Sequence, residues 1–308
     1  MGDCAEVAVT ATSAKAARID AEEIARLVDE LGPEPRSCLI CAAPGPRRLF
    51  FRSEKWFWSC NACELVFVHD IYPEFALDVA HLDGTYDFHA TRSAKPRELS
   101  EYARLLAQFE PVRSTGRLLE VGCGHGIFLE AARARGWNVV GVEILDEVAA
   151  IARKARSLDV RVGELAGAAF KDAHFDVVYM NEVIEHVVDP VALMREVRRV
   201  LRPGGCAVLR TGNARSWSAR LRGRGWSYYR FGGHLHIRFY SPKSAEALAR
   251  AAGFARARCD TRGFAMRESA ELAGHWYKPI VKPLQALVSP LAGPLGAGHR
   301  LTMWLESA

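Results

Sequence analysis

Leu118-Leu-Glu-Val-Gly-Cys-Gly-His-Gly-Ile-Phe-Leu129 is an apolar run, a glycine-rich turn and the opening of a second apolar run. The first run reads as a strand and the second as a helix, so Gly122, Gly124 and Gly126 fall in the turn between them. Glycines at such a turn let the backbone approach a ligand closely. A dinucleotide-binding turn requires Gly-x-Gly-x-x-Gly, yet the residue three places after Gly124 is Ile127, so that spacing fails. The pattern is instead Glu-x-Gly-x-Gly-x-Gly, with Glu120 inside the strand. Such an acid can pair with an ammonium group, which a pyrophosphate ligand lacks. Seventeen residues beyond Gly126 another apolar run ends at Glu143, and a carboxylate at a strand tip suits the two hydroxyls of a ribose. An amino acid and a ribose without phosphate together describe S-adenosylmethionine.

The same texture continues downstream. Short apolar runs at Leu118–Val121, Val139–Val142, Val160–Val162, Phe175–Met180 and Ala207–Leu209 alternate with amphipathic segments, which predicts a parallel α/β sheet. Asp146, Asp189-Pro190 and Ser241-Pro242 read as helix starts, and Gly253 as a helix stop. Residues 254–260 and 299–306 are expected to add two strands. Between them, 268–298 holds three apolar pieces punctuated by proline, read as inserted helices. The apolar side chains Trp276, Ile280, Val281, Leu284, Leu287 and Val288 there are expected to be buried within the fold.

Upstream, Cys38-Leu-Ile-Cys41 and Cys60-Asn-Ala-Cys63 are separated by eighteen residues. Each turn aims two thiolates at one point, and two turns complete the tetrahedron that zinc accepts. A structural zinc site at Cys38, Cys41, Cys60 and Cys63 is therefore expected, against a redox or disulfide reading that the cytosol disfavours. Residues 48–53 and 56–59 read as strands of this small module. Ala17, Ile24, Leu27, Val28 and Leu31 mark a helix over residues 14–31. Tyr72, Phe75, Tyr86 and Phe88 fall in an irregular stretch, and Leu99, Tyr102, Leu105, Leu106 and Phe109 share one face of a lid-forming helix. The expected divisions are a tail and helix (1–36), a zinc ribbon (37–70), a linker with lid helices (71–115) and a catalytic domain (116–308).

The chain has 308 residues, 49% apolar and 25% charged, with net charge +5. That suits one large or two modest domains and excludes a disordered or collagen-like chain. No apolar run approaches the length of a spanning helix. Charges scattered through the first 35 residues leave no signal-peptide core, so a cytoplasmic protein is expected.

Residues 117–211 resemble the core of class I S-adenosylmethionine-dependent methyltransferases, and Cys38 to about Gly253 resembles a bacterial subgroup with an N-terminal zinc ribbon. The resemblance rests on the Glu120–Gly126 loop, Val140-Gly-Val-Glu143, Phe175-Asp-Val-Val178, Val183-Ile-Glu-His-Val-Val-Asp-Pro190 and Arg199-Val-Leu-Arg-Pro-Gly-Gly205. It implies a seven-stranded Rossmann-like sheet. It also implies that Glu120, Gly122, Cys123, Gly124 and Gly126 hold the methionine part of the cofactor and that Glu143 and Ile144 meet the ribose side. Glu164 and Leu165 would flank the adenine, and Asn181 would close the pocket. The run Glu182-Val-Ile-Glu185-His186 is similar to one in ubiquinone-pathway O-methyltransferases, where it goes with a metal and a catechol-like substrate. On a helix, Glu182, Glu185 and His186 would share a face able to hold a divalent metal. A packing or gating role is the alternative.

Catalytic candidates are His186, His234 and His236, because a neutral imidazole can take a hydroxyl proton near pH 7. Trp226, Tyr228, Tyr229 and Arg230, with Trp217, sit in a glycine- and arginine-rich stretch and are expected to line the substrate pocket. Val197–Ala245 contains ten arginines, Lys243 and no acid, whereas the remainder carries 30 basic and 36 acidic groups. Arg215, Arg220, Arg222, Arg224 and Arg230 are expected to attract an anionic substrate. The expected activity is O-methylation of a small anionic metabolite, such as a sugar, nucleotide-sugar or natural-product intermediate. The alternatives are an RNA methyltransferase, disfavoured because the ribbon lacks a concentrated basic run, and a non-catalytic cofactor-binding scaffold.

Overall fold

Alternation along Phe175–Asn181 shows how the fold is built. Phe175, Val178 and Met180 face one layer with Met194, Val197, Val200 and Leu248, while Val177 and Tyr179 face another with Leu106, Phe109 and Phe128. A strand buried on both faces reads as a near-continuous apolar run because helices cover both sides. The computed structural model describes residues 34–52, 55–69, 93–229, 236–264 and 278–307. The helix read over 14–31, Tyr72, Phe75, Tyr86, Phe88, Arg230, His234 and Trp276 lie outside the described residues.

In chain order, β1 (Arg47–Arg52), β2 (Lys55–Ser59) and β3 (Val66–Val68) precede helix α1 (Pro96–Phe109). Then follow β4 (Arg117–Val121), α2 (Ile127–Arg133), β5 (Asn138–Glu143), α3 (Asp146–Arg156), β6 (Asp159–Val162), β7 (Phe175–Asn181), α4 (Pro190–Val200) and β8 (Leu201–Gly212). The chain continues with α5 (Trp217–Arg222), β9 (Arg238–Phe239), α6 (Pro242–Ala252), β10 (Arg256–Arg262), α7 (Lys278–Ala292) and β11 (Arg300–Glu306). The main sheet has seven strands in the order β6-β5-β4-β7-β8-β11-β10. β4 through β8 run parallel, and β11 is antiparallel to both β8 and β10. The strand order reverses between β4 and β7, which opens a crevice at their C-terminal tips.

The ribbon is joined to this domain by a shared sheet: β1-β2-β3-β9, where β9 comes from beyond β8. Val66 pairs with Phe239 and Phe67 with Arg238. From Pro35 onward the chain forms one compact unit.

Several local expectations change. Asp146 is the first residue of α3 and Leu145 its cap, with no side-chain cap bond. Asp189 and Ser241 do cap α4 and α6, accepting from Ala192 and Ser244. The expected lid helix is α1, and its C-terminal half is fixed in the core, where Leu106 and Phe109 are fully buried. Of the three inserted pieces, the described part is one helix, α7, with Pro283 and Pro290 inside it. Ile280, Leu284 and Leu287 on α7 are exposed rather than buried and Val281 and Val288 are half-buried; near its C-terminal end the helix is anchored by the buried Ala292 and by Ser289, whose hydroxyl accepts from Phe264 N–H. Among the described residues no helix is long and apolar enough to cross a membrane.

Candidate active site

The glycine loop leaves β4 in left-handed conformations that a side chain would strain. Gly122, Gly124 and Gly126 have φ of +68°, +52° and +76°. A Cβ at Gly122 would lie 2.4 Å from Val183, and one at Gly126 2.3 Å from Leu158, whereas the space beside Gly124 is open. The loop is thus packed at both ends and clear in its middle. Cys123 is buried, with its sulfur against Gly141, and burial pushes its thiol up.

Two carboxylates meet this loop. Glu143, at the tip of β5, accepts from Gly124 N–H (2.9 Å) and Leu145 N–H (3.1 Å). Burial raises its pKa against those bonds. Glu120 is buried in β4, and its Oε2 has no hydrogen-bond partner. Burial, with a contribution from the charge of Glu143, pushes it well above the ordinary carboxylate range. A buried carboxyl without a partner is costly and calls for a cation. Asn181, at the tip of β7, has a buried Oδ1 that is likewise unpartnered. Leu165 is buried, and Ile144 and Glu164 are exposed on the same rim. These groups fit a ligand with an ammonium and a hydroxyl-bearing ring. By contrast, a cleft of about 450 Å³ lined by Trp137 and Asp159 sits at the opposite, N-terminal edge of the strands.

Beyond β7 the chain does not form the expected helical face. Glu182 takes a left-handed φ of +55°, and Ile184–His186 is a single 3₁₀ turn. Glu182 accepts a hydrogen bond from Tyr228 O–H at 2.8 Å. The set Glu182, Glu185 and His186 is therefore not assembled. Glu185 and His186 instead meet His236, their ligand atoms lying within 4.8 Å of one another. The His186 and His236 rings are 4.8 Å apart. Glu185 is fully buried, and neither carboxylate oxygen has a hydrogen-bond partner. Burial, then the neighbouring Glu182, raises its pKa. His236 Nδ1 lies 3.2 Å from the Tyr228 carbonyl oxygen, and its ring stacks on Tyr228.

Trp226 and Tyr229 do not line a pocket. They are buried with Phe57, Val66, Val68 and Phe239, because the ribbon sheet presents an apolar face that this loop covers. Tyr228 is half-buried and stacked between Trp226 and His236. Part of the basic region is tied internally, while Arg220 and Arg224 are exposed. Arg199 pairs with Asp172 and Glu196, Arg202 with the buried Asp176, and Arg215 with Glu64. Arg238 is buried and donates to the carbonyls of Val68, Ile237 and Val188.

In the ribbon, each Cys-x-x-Cys turn ends on a left-handed residue, Ala42 and Glu64. Ala42 N–H donates to the Cys38 carbonyl and Glu64 N–H to the Cys60 carbonyl, both at 2.9 Å. The two turns are thus repeats of one geometry. Cys38 and Cys63 sulfurs are 3.6 Å apart, as are those of Cys41 and Cys60. A tetrahedron with metal–sulfur bonds of about 2.3 Å has edges of about 3.8 Å, so the four thiols fit.

Fold and rim together define an S-adenosylmethionine-dependent methyltransferase. Residues 92–257, just over half of the chain, match the methyltransferase domain family, and the chain belongs to it. It is 30% identical over 176 residues to the ubiquinone biosynthesis O-methyltransferase of Thiobacillus denitrificans, covering 54% of this chain and 70% of that one. The Psychrobacter arcticus enzyme of that name is 34% identical over 182 residues, covering 54% and 64%. In fold, the chain is similar to a methyltransferase from Archaeoglobus fulgidus with a TM-score of 0.51 at 16% identity, over 72% of this chain and 100% of that one.

Proposed function

We propose that the protein transfers the methyl group of S-adenosylmethionine to a hydroxyl oxygen of a small anionic metabolite. When bound, the cofactor supplies an electrophilic methyl on a sulfonium. Glu120 pairs with its ammonium, and the loop of Gly122, Cys123, Gly124 and Gly126 lies beside it, open at Gly124. Glu143 accepts from the ribose hydroxyls. Ile144, Glu164 and Leu165 border the adenine, and Asn181 offers its unpartnered oxygen to the methionine side. The observation that carries the cofactor assignment is the buried, unpartnered Glu120 beneath an open glycine loop.

For the acceptor, His236 takes the hydroxyl proton as the oxygen attacks the methyl carbon and the carbon–sulfur bond breaks. Its contact with the Tyr228 carbonyl makes Nδ1 the donor and Nε2 the basic nitrogen. Glu185 stabilises the imidazolium. The relatives named as O-methyltransferases support an oxygen acceptor on a small molecule. The ribbon holds one structural zinc on its four cysteines.

Transfer of labelled methyl to a panel of hydroxylated metabolites, carboxylated catechols included, tests this reading. The expected result is labelling of a small hydroxylated acid, with His236→Gln lowering kcat by about 10²–10⁴ while cofactor affinity is kept. Labelling of RNA with no small molecule labelled would contradict it.

A further inference from the structure

We propose that Arg210 and Arg300 form the anion-recognition site of the substrate pocket, with Glu101 of α1 lying on it as an internal counter-anion that a substrate carboxylate replaces. This rests on the methyl-transfer reading of the rim. Arg210 sits opposite Asn181 on β7, and Arg300 opposite Gly212 on β8. Residues paired across neighbouring strands point to the same face of a sheet. By the same register Glu120 is opposite Tyr179, so both arginines share the face of Glu120 and Asn181 at the strand tips.

Arg210 is almost fully buried, and its one carboxylate partner among the described residues is Glu101, with Tyr179 O–H 3.5 Å away. Arg300 is half-buried, 3.5 Å from the same Glu101 oxygen and 3.9 Å from Glu182. Two guanidinium groups therefore share one carboxylate oxygen, and Glu182, whose Oε2 accepts from Tyr228, presents its Oε1 to Arg300 beyond hydrogen-bond distance. A planar carboxylate able to accept from both forks would satisfy them better than this arrangement does. Glu101 lies on the less anchored half of α1. The buried Leu105, Leu106 and Phe109 all follow it, while Leu99 before it is 48% exposed. The arginines that composition singled out are elsewhere: Arg215 is held by the ribbon's Glu64, and Arg220 and Arg224 are exposed around the end of α5.

The test uses the full-length protein saturated with S-adenosylhomocysteine, with 3,4-dihydroxybenzoate and uncharged catechol as calorimetric probes. The wild type is expected to bind the carboxylate at least about tenfold more tightly than catechol. Arg300→Met should abolish that preference, and Arg220→Ala should keep it. Glu101→Gln should tighten the carboxylate about tenfold, a direction that a merely structural Glu101 would not produce. A wild type with no preference for the carboxylate, including one that does not bind it, overturns the proposal. So does an intact preference in Arg300→Met or weaker binding in Glu101→Gln. Cofactor binding, and methyl transfer from S-adenosylmethionine to catechol in separate samples of the same proteins, separate that failure from failure of the methyl-transfer reading.

Discussion

Glu120 is buried with no hydrogen-bond partner for its Oε2, and the proposed ammonium contact would satisfy it. Burial raises its carboxyl well above the ordinary range, and an ammonium beside it favours the carboxylate. Cofactor binding below that raised value, with the ligand's own amine protonated, is therefore expected to release a proton. Calorimetry in buffers of different ionisation enthalpy measures that release, and Glu120→Gln should abolish it. Asp176 shows the opposite case. Burial alone would raise it, but Arg202 and the N–H groups of Ser114, Gly116 and Thr115 outweigh burial and hold it below the ordinary value. A depressed carboxylate contributes stability that is complete above about pH 4 and lost as pH falls through the folded value. Asp176→Asn should cost about 3 kcal/mol near neutrality and flatten the acid limb of a denaturation series, whereas an unchanged limb would contradict the assignment. The placement of Glu120 and Glu143 in buried strand ends was legible in the sequence from the apolar runs around them. The pairing of Arg215 was not, because Glu64 lies 151 residues away.

At the scale of elements, the short β3–β9 pairing does more than its length suggests. It closes the ribbon sheet, and from its ends Ile237 N–H donates to the Glu185 carbonyl at 2.8 Å while Arg238 spans Val68 and Val188. The turn bearing Glu185 and His186 is thereby tied to the four-cysteine module. Removing the metal with a chelator, or Cys60→Ala, is expected to raise amide exchange at Val66–Val68 and Ile237–Phe239. Methyl transfer should fall while S-adenosylhomocysteine affinity stays within about twofold, since the glycine loop belongs to β4 and α2. Unchanged exchange at β9 would show the two modules to be independent. The order of strands and helices from Arg117 onward was legible from apolar periodicity and from caps such as Asp189 and Ser241. The burial of Trp226 and Tyr229 was not: it depends on a sheet partner about 170 residues away, and a glycine- and arginine-rich stretch carries no local sign of that partner.

For the whole molecule, a seven-stranded sheet places three loops, after β4, β5 and β7, around one crevice, and the ribbon buttresses the neighbouring rim. Among the arginines between Val197 and Ala245 for which a contact is described, Arg199, Arg202, Arg215 and Arg238 serve as internal ties. The pair proposed to bind the anion, Arg210 and Arg300, sits on neighbouring strands that are distant in sequence. The central claim is that Glu120 and Glu143 hold the cofactor at the tips of β4 and β5. Titration of S-adenosylhomocysteine into the wild type, Glu120→Gln and Glu143→Ala proteins tests it most directly. The account predicts one site per chain in the wild type and an affinity loss of about 10- to 100-fold in each variant, with the fold intact by circular dichroism. Wild-type affinity in both variants would contradict it.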